Sequence, residues 1–334
     1  MNKETSASEY SAVRDAGAGL LDLSSRGRIL VSGSEAVMFL NGLVTNDMKT
    51  LTVSSWMPAA FANVQGRLLA SVRIMHRADG FLIDTESATR ETVLKLLERF
   101  TLAGDFRVED LTSGTTLLSV QGKDAANVIR AALGDEAADV ARQRVTHLKP
   151  ETDFQATIIR ATHTAEDGFD LFVDADSRGQ LAELLKASGA QKISSDIQET
   201  LRLEAGIPRY GIDMDGTTIV TEANLDDAVS FTKGCYLGQE IIVRIRHRGH
   251  VAKQLTGIIL EQQVAIEHGA KVFSADDKEI GRATSATFSP KLDRTIALGY
   301  VKYDYLAPGT KVRVAEIAAE VAELPFIRGS WYLE

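Results

Sequence analysis

Displaced against itself by 88 to 90 positions, the first part of the chain matches itself twice. Val31-Ser-Gly33-Ser-Glu35-Ala36 aligns with Val120-Gln-Gly122-Lys-Asp124-Ala125, and Val31 to Val120 is an offset of 89. Gly80-Phe81 followed by Asp84-Thr-Glu-Ser87 aligns with Gly168-Phe169 followed by Asp174-Ala-Asp-Ser177, and Asp84 to Asp174 is an offset of 90. Two matches at one period point to a duplicated structural unit. Each copy reads as a strand, a glycine turn and a helix (Ser34 to Leu43; Lys123 to Leu133), then strands and a second helix. The second helices run from Ser87 to Phe100, with Val93, Leu97 and Phe100 on one stripe, and from Ser177 to Ser188, with Leu181, Leu184 and Leu185. This β-α-β-β-α order predicts an α+β chain built on two related, ferredoxin-like units.

At 334 residues the chain has room for about two domains, or three small ones, and 44% hydrophobic with 25% charged residues gives each a core. From about Leu255 the pattern changes to short strands: Thr256 to Leu260, Lys271 to Ser274, Ile280 to Phe288, Thr295 to Val301 and Lys311 to Val314, with Gly269, Gly281, Gly299 and Pro308-Gly309 as breaks. These predict a small antiparallel barrel or sandwich over 255–334. Residues 1–254 then hold the two α/β subdomains, about 19–110 and 111–250, in sequence or interleaved.

A single cysteine, Cys235, excludes an intrachain disulfide framework and any metal site made from several local thiolates. A reducing, cytoplasmic setting is expected. No apolar window approaches membrane-spanning length, and the net charge of −9 opposes non-specific attraction to nucleic acid or anionic lipid, so neither nucleic acid nor membrane is expected as a partner. G-x-S-x-G, P-loop and H-E-x-x-H motifs are absent, which removes the familiar hydrolase, nucleotide and metalloenzyme readings.

Chemistry concentrates in two places. Ser195 and Gln198 have capping-box spacing at the start of a helix in which Ile197, Leu201 and Glu204 share one face. That turns the Glu204 carboxylate inward, where it requires either a structural partner such as Arg202 or Arg209, or a ligand. The second place is Phe231-Thr-Lys233-Gly234-Cys235-Tyr236-Leu-Gly238-Gln239-Glu240, followed by Arg244, Arg246, His247, Arg248 and His250. Glycines bracket the thiol and Lys233 would favour its thiolate, although a lone cysteine also serves as a small buried apolar residue. Arg244 and Arg248 share a face whether Ile241-Ile242-Val243 forms a strand or a helix, which suits a carboxylate-bearing ligand, an acidic partner or a solvated edge.

The run Lys233-Gly-Cys-Tyr-Leu-Gly-Gln-Glu240 resembles the YgfZ-type folate-binding proteins of iron-sulfur cluster maintenance, a branch of the aminomethyltransferase (glycine-cleavage T-protein) superfamily. Leu40-Asn-Gly-Leu43-Val-Thr45-Asn46-Asp47, Asn63-Val-Gln65-Gly66-Arg67, Leu201-Arg-Leu-Glu204-Ala-Gly206 with Tyr210-Gly211, and Ile280-Gly-Arg-Ala-Thr284 through Pro290 extend the likeness from about Gly19 to Val314. It implies a three-domain ring, two α/β domains and a C-terminal β-barrel, around a channel for tetrahydrofolate or a derivative. It implies Glu204 as the pterin acid and Cys235 as a functional thiol, a shared cluster ligand in partnership with iron-sulfur proteins or their assembly factors. Lys233 and Arg244 would meet the folate carboxylates, and Tyr210 or Phe231 would stack on its ring. The aminomethyltransferases carry an aspartate pair after a Gly-Gly turn; here the stretch is Gly66-Arg67-Leu68-Leu69-Ala70-Ser71, without a carboxylate. A second departure is Val220, ahead of Thr221-Glu222-Ala223 where a proline is common. The expectation is folate binding without glycine-cleavage activity. The alternatives are a tetrahydrofolate-dependent one-carbon transferase using another group, and a scaffold without ligand.

Overall fold

The computed structural model describes residues 3–99, 101, 102, 104–148 and 155–333. The chain opens with α1 (Lys3–Arg14) and β1 (Ala18–Asp22), then runs through β2 (Gly27–Ser32), α2 (Ala36–Leu43), β3 (Ser55–Ala62), β4 (Leu68–Arg77), β5 (Gly80–Thr85), α3 (Arg90–Glu98) and β6 (Arg107–Asp110). The second copy supplies β7 (Thr115–Gln121), α4 (Ala125–Leu133), α5 (Asp135–Ala138), β8 (Val145–Leu148), β9 (Ala156–Arg160), β10 (Gly168–Asp174), α6 (Arg178–Ala187) and β11 (Ala190–Lys192). After α7 (Ser195–Glu204) and α8 (Gln239–Arg248) come β12 (Lys253–Leu260), β13 (Lys271–Ser274), β14 (Glu279–Ser289), β15 (Arg294–Lys302), β16 (Lys311–Val314) and β17 (Ile317–Ala322).

The duplication is visible in the geometry. Val31 of β2 pairs with Phe81 of β5, and Val120 of β7 pairs with Phe169 of β10, so both copies share one register. The turns match as well. Gly33 and Gly122 both have positive φ, and a Cβ on either would lie 2.1 Å from Asp105 O or 2.5 Å from Gly17 O, closeness only glycine tolerates. Helix α3 is shorter than Ser87 to Phe100, because Ser87–Thr89 forms a 3-10 turn; Phe100 lies outside the described residues.

The first sheet has the order β3-β4-β5-β2-β6 and the second β11-β1-β7-β10-β9-β8. Strand β1 thus crosses to the second sheet, between β7 and β11, and a division at 19–110 and 111–250 cuts through that sheet. The C-terminal strands close into a six-stranded antiparallel barrel, β12-β15-β14-β13-β16-β17. The whole is a mixed α/β architecture of two α/β domains and a β-barrel. Strand β17 has no counterpart in the sequence pattern, because Ala318, Ala319 and Ala322 dilute its β-propensity. Among the described residues, no helix is long and apolar enough to cross a membrane.

Helix α8 resolves the ambiguity of the β-branched run. Gly238 caps it in the left-handed region, Glu240 pairs with Arg244 one turn on, and Ile242 is fully buried in a cluster with Ala60, Leu68, Val220 and Tyr236. Packing of one isoleucine outweighs the weak helix propensity of three. At α7 the expected capping box does not form. The Ser194 amide and hydroxyl instead donate to Glu9 Oε2, at 2.8 and 2.5 Å, so α1 supplies the cap.

Candidate functional site

Charged side chains emerge from apolar strands and converge where the two sheets meet. In the β4–β5 ladder Arg73 stands opposite Asp84, and the turn between β1 and β2 brings in Arg26. Asp84 accepts from Arg26 Nη2 at 2.8 Å and pairs with Arg73 Nη2 at 2.7 Å. Arg73 Nη1 reaches across to Asp170 of β10 at 2.6 Å, and His163 Nε2 lies 2.9 Å from the same carboxylate. Arg26 also pairs with Glu86 at 2.7 Å. Asp84 and Asp170 have no exposed surface. Burial alone would push Asp170 up, but the charges of His163 and Arg73, with hydrogen bonds from His163 and Ser119, hold it well below the usual carboxylate range. Asp84 is likewise held low: burial is outweighed by Arg26 and Arg73.

Beside this cluster is a cavity of about 350 Å³, walled by Arg26, Glu86, His163, Gln198, Arg209 and Tyr210 among others. The size lies within the range of small-molecule sites. Two arginines and His163 meet three carboxylates in the cluster, and of those carboxylates Glu86 reaches the cavity wall. Of the residues expected from the sequence, Tyr210 is on this wall.

Glu204 corrects its expected role. It is fully buried, as the helical face requires, but its oxygens are occupied. Tyr10 Oη donates to Oε1 at 2.7 Å, Arg14 Nε and Nη2 meet Oε2 at 2.9 and 2.8 Å, and Ser289 Oγ donates to Oε1 at 2.5 Å. Arg14 in turn pairs with Glu166 at 3.1 Å, and Glu166 accepts from the Ser330 amide and hydroxyl at 2.7 and 2.8 Å. Glu204 therefore ties α1, α7, the barrel and the C-terminal segment together and offers a pterin no free edge. Its partner is Arg14, not Arg202 or Arg209: Arg202 bonds Glu199 and Asp213, and Arg209 bonds Glu199.

The cysteine motif also divides. Cys235 is exposed, while Lys233 turns inward and donates from Nζ to the carbonyls of Asn41, Val44 and Asn46 at 2.7, 2.8 and 2.7 Å. The ammonium thus caps the C-terminal end of α2, instead of activating the thiol or meeting a folate carboxylate. Burial pulls its pKa down to about 8, against a weaker rise from Asp47. Tyr236 is buried and lies under Lys233, whose Nζ is 4.9 Å from the ring centroid; Phe231 sits half-buried under Arg246. Gln239 Nε2 donates to Lys233 O at 3.2 Å, and Gly234 adjoins open space. Arg244, paired with Glu240, stays on the exposed face of α8. The motif therefore shapes a turn that presents Cys235; Lys233 and Phe231 pack within it, and Arg244 lies outside it on α8.

Strand β4 after Gly66 carries no carboxylate on either face: Leu68 and Ala70 are fully buried and Leu69 and Ser71 half-buried. The residues that sequence reasoning missed, Arg26, Arg73, Asp84, His163 and Asp170, had a visible signal. Val72-Arg73-Ile74, Ile83-Asp84 and Phe169-Asp170-Leu171 place a charge inside an apolar strand, where only pairing or a ligand compensates it.

Residues 2–233 match the family described as the GCVT N-terminal domain, and residues 253–327 match the glycine cleavage T-protein C-terminal barrel domain. An aminomethyltransferase of Rubrobacter xylanophilus is 32% identical over 323 residues, covering 96% of this chain and 86% of that protein. One from Geobacillus kaustophilus is 30% identical over 330 residues, covering 96% and 90%. The crystal structure of glycine cleavage system aminomethyltransferase T from Bartonella henselae has a TM-score of 0.86 at 27% identity, covering 97% of this chain and 90% of that one.

Proposed function

The chain belongs to the glycine cleavage T-protein family, whose aminomethyltransferases use tetrahydrofolate as their one-carbon carrier, and from that membership we propose that it binds tetrahydrofolate or a derivative in the cavity beside Arg26, His163 and Tyr210. We place its work in the assembly or repair of iron-sulfur proteins, with Cys235 as the functional thiol, in the reducing cytoplasm. The observation that carries the folate reading is the buried Arg26-Asp84-Arg73-Asp170-His163 cluster against a cavity of about 350 Å³. On the cavity wall Glu86 and Gln198 carry acceptor oxygens for a pterin's ring and amino N–H groups, and Tyr210 offers it a ring face. What supports the accessory reading is the exposed Cys235 within Lys233–Glu240, together with a β4 that lacks the transferase carboxylate. One thiolate cannot hold a cluster, so a partner protein, glutathione or a second copy supplies the other ligands.

A second reading, aminomethyl or other one-carbon transfer to tetrahydrofolate, has the stronger support from the relatives, which carry the name aminomethyltransferase at 30–32% identity over nearly the whole chain, whereas the iron-sulfur reading rests on the Lys233–Glu240 motif and β4 alone. Calorimetric titration with tetrahydrofolate tests the shared premise. Saturable binding that weakens in Gln198→Ala and Tyr210→Ala but persists in Arg244→Ala supports the cavity; no binding by the natural chain removes both readings. Incubation with aminomethyl donors then separates them, because turnover above background establishes the transferase. Cys235→Ala, expressed in cells lacking the natural protein, is expected to leave iron-sulfur enzymes deficient; full rescue would take Cys235 out of the mechanism.

A further inference from the structure

The wall of the cavity between the sheets carries the imidazole of His163, whose side chain keeps 21% of its surface exposed. Its place is fixed from two directions. Gln121, fully buried, accepts from the His163 amide at 2.8 Å and donates from Nε2 to Ser119 Oγ and to Ala161 O, both at 2.9 Å. Asp170, also without exposed surface, meets the ring Nε2 at 2.9 Å, and Arg73 and Ser119 hold that carboxylate in turn. An ionised Asp170 accepts from Nε2–H, so the neutral imidazole carries its lone pair on Nδ1. Among the described residues no protein group bonds Nδ1.

The other titratable groups on this wall are poor proton acceptors near neutrality. Asp22 and Glu86 are carboxylates paired with Arg178 and Arg26, Arg202 and Arg209 are cations bound to Glu199, and burial with the charge of Asp215 raises the Tyr210 phenol. Strand β4 supplies no carboxylate either. We propose that His163 is the proton acceptor for one-carbon transfer in this cavity, with Asp170 as its positioning residue, an assignment that rests on the transferase reading of the site. As the new C–N bond forms at the accepting secondary amine, the carbon's bond to its leaving group breaks, and that electron pair departs with the group. The amine proton passes to Nδ1, its N–H electron pair staying on nitrogen. Asp170 stabilises the imidazolium, and the same proton goes on to the leaving group, so neither oxidant nor reductant enters.

The test uses the full chain with tetrahydrofolate and, as donor, the S-aminomethyl adduct of 2-mercaptoethanol. His163→Gln keeps an amide that can donate to Asp170 but has no basic nitrogen, and urea unfolding checks that it retains the fold. It is expected to lower kcat by about a hundredfold, while tetrahydrofolate affinity from calorimetry stays within about threefold. In the natural chain kcat should rise with pH across about pH 5.5–8, because the acceptor works only as neutral imidazole; the variant should lack that rise. Asp170→Asn, which removes the charge behind the imidazolium, should move the rise to lower pH. Apart from activity, the ring nitrogens of His163, assigned in nitrogen NMR spectra by their absence from His163→Gln, should respond to saturating tetrahydrofolate, Nδ1 more than Nε2. No tetrahydrofolate binding by the natural chain removes the folate reading and this role with it. Binding without turnover above background, near-natural kcat in His163→Gln, a flat pH profile in the natural chain, or an unmoved Nδ1 resonance overturns the role of His163 and leaves folate binding in place.

Discussion

Glu204 and Asp170 are both carboxylates without exposed surface, and their neighbours give them different tasks. Around Glu204, Tyr10, Arg14 and Ser289 fill the acceptor positions, so the acid is structural. Replacement by alanine leaves Arg14 with one carboxylate partner, Glu166, in place of two, and a cost of about 3–5 kcal/mol is expected, read as a lowered urea midpoint. Tetrahydrofolate affinity at a temperature where the variant remains folded should stay within about threefold of the natural value, since Glu204 is not among the residues walling the cavity beside Arg26 and His163. Lys233→Met removes three donors from carbonyls at the end of α2 and is expected to cost about 2–3 kcal/mol in the same measurement. Periodicity made the inward direction of Glu204 legible, because the helical repeat dictates it. The partner was not legible, since Arg14 lies far from Glu204 in the chain and joins it only through the packing of α1 on α7.

Local pattern located α2, α4, α6 and α7 and most barrel strands within a few residues, because glycine turns and apolar stripes act over short distances. It left α8 undecided, since that helix depends on where Ile242 packs and on how closely Gly238 approaches the β3–β4 turn. Gly238 has a φ of 83°, and a Cβ there would lie 2.5 Å from Asn63 O and 3.0 Å from Gly66 Cα. Gly238→Ala is therefore expected to cost about 2–4 kcal/mol through strain and overlap together. The readout is the thermal midpoint alongside the rate at which Cys235 reacts with a disulfide reagent. Displacement of α8 from its turn should alter that rate more than a remote substitution of equal thermal cost, such as Lys311→Ala combined with a barrel cavity.

Across the whole molecule, Arg73 joins the two sheets by bridging Asp84 and Asp170. Both carboxyls hold their protons more weakly in the folded chain than in the unfolded one, where the ordinary value is near 4. The stability they contribute is therefore present above that value and disappears as pH falls toward their depressed native values. Urea midpoints measured between neutrality and pH 3 should fall on acidification. Asp170→Asn should lower the midpoint at pH 7 and flatten the acid decline, because the variant has no proton to take up there. The duplicated plan was legible because both copies use the same glycine turn. The meeting point of Asp84, Arg73 and Asp170 was not, since it depends on how two separately patterned sheets face one another.

Strand β1 has a further consequence for biosynthesis. It leaves the ribosome well before its partners, since Leu20 pairs with Val120 and Lys192. The first sheet can close around β2 to β6 while this segment is still waiting, its backbone groups satisfied only by water. The nascent chain therefore carries an unpaired apolar strand until β7 and β11 have emerged, and a chaperone that shields Ala18–Asp22 during that interval has a physical reason to be there.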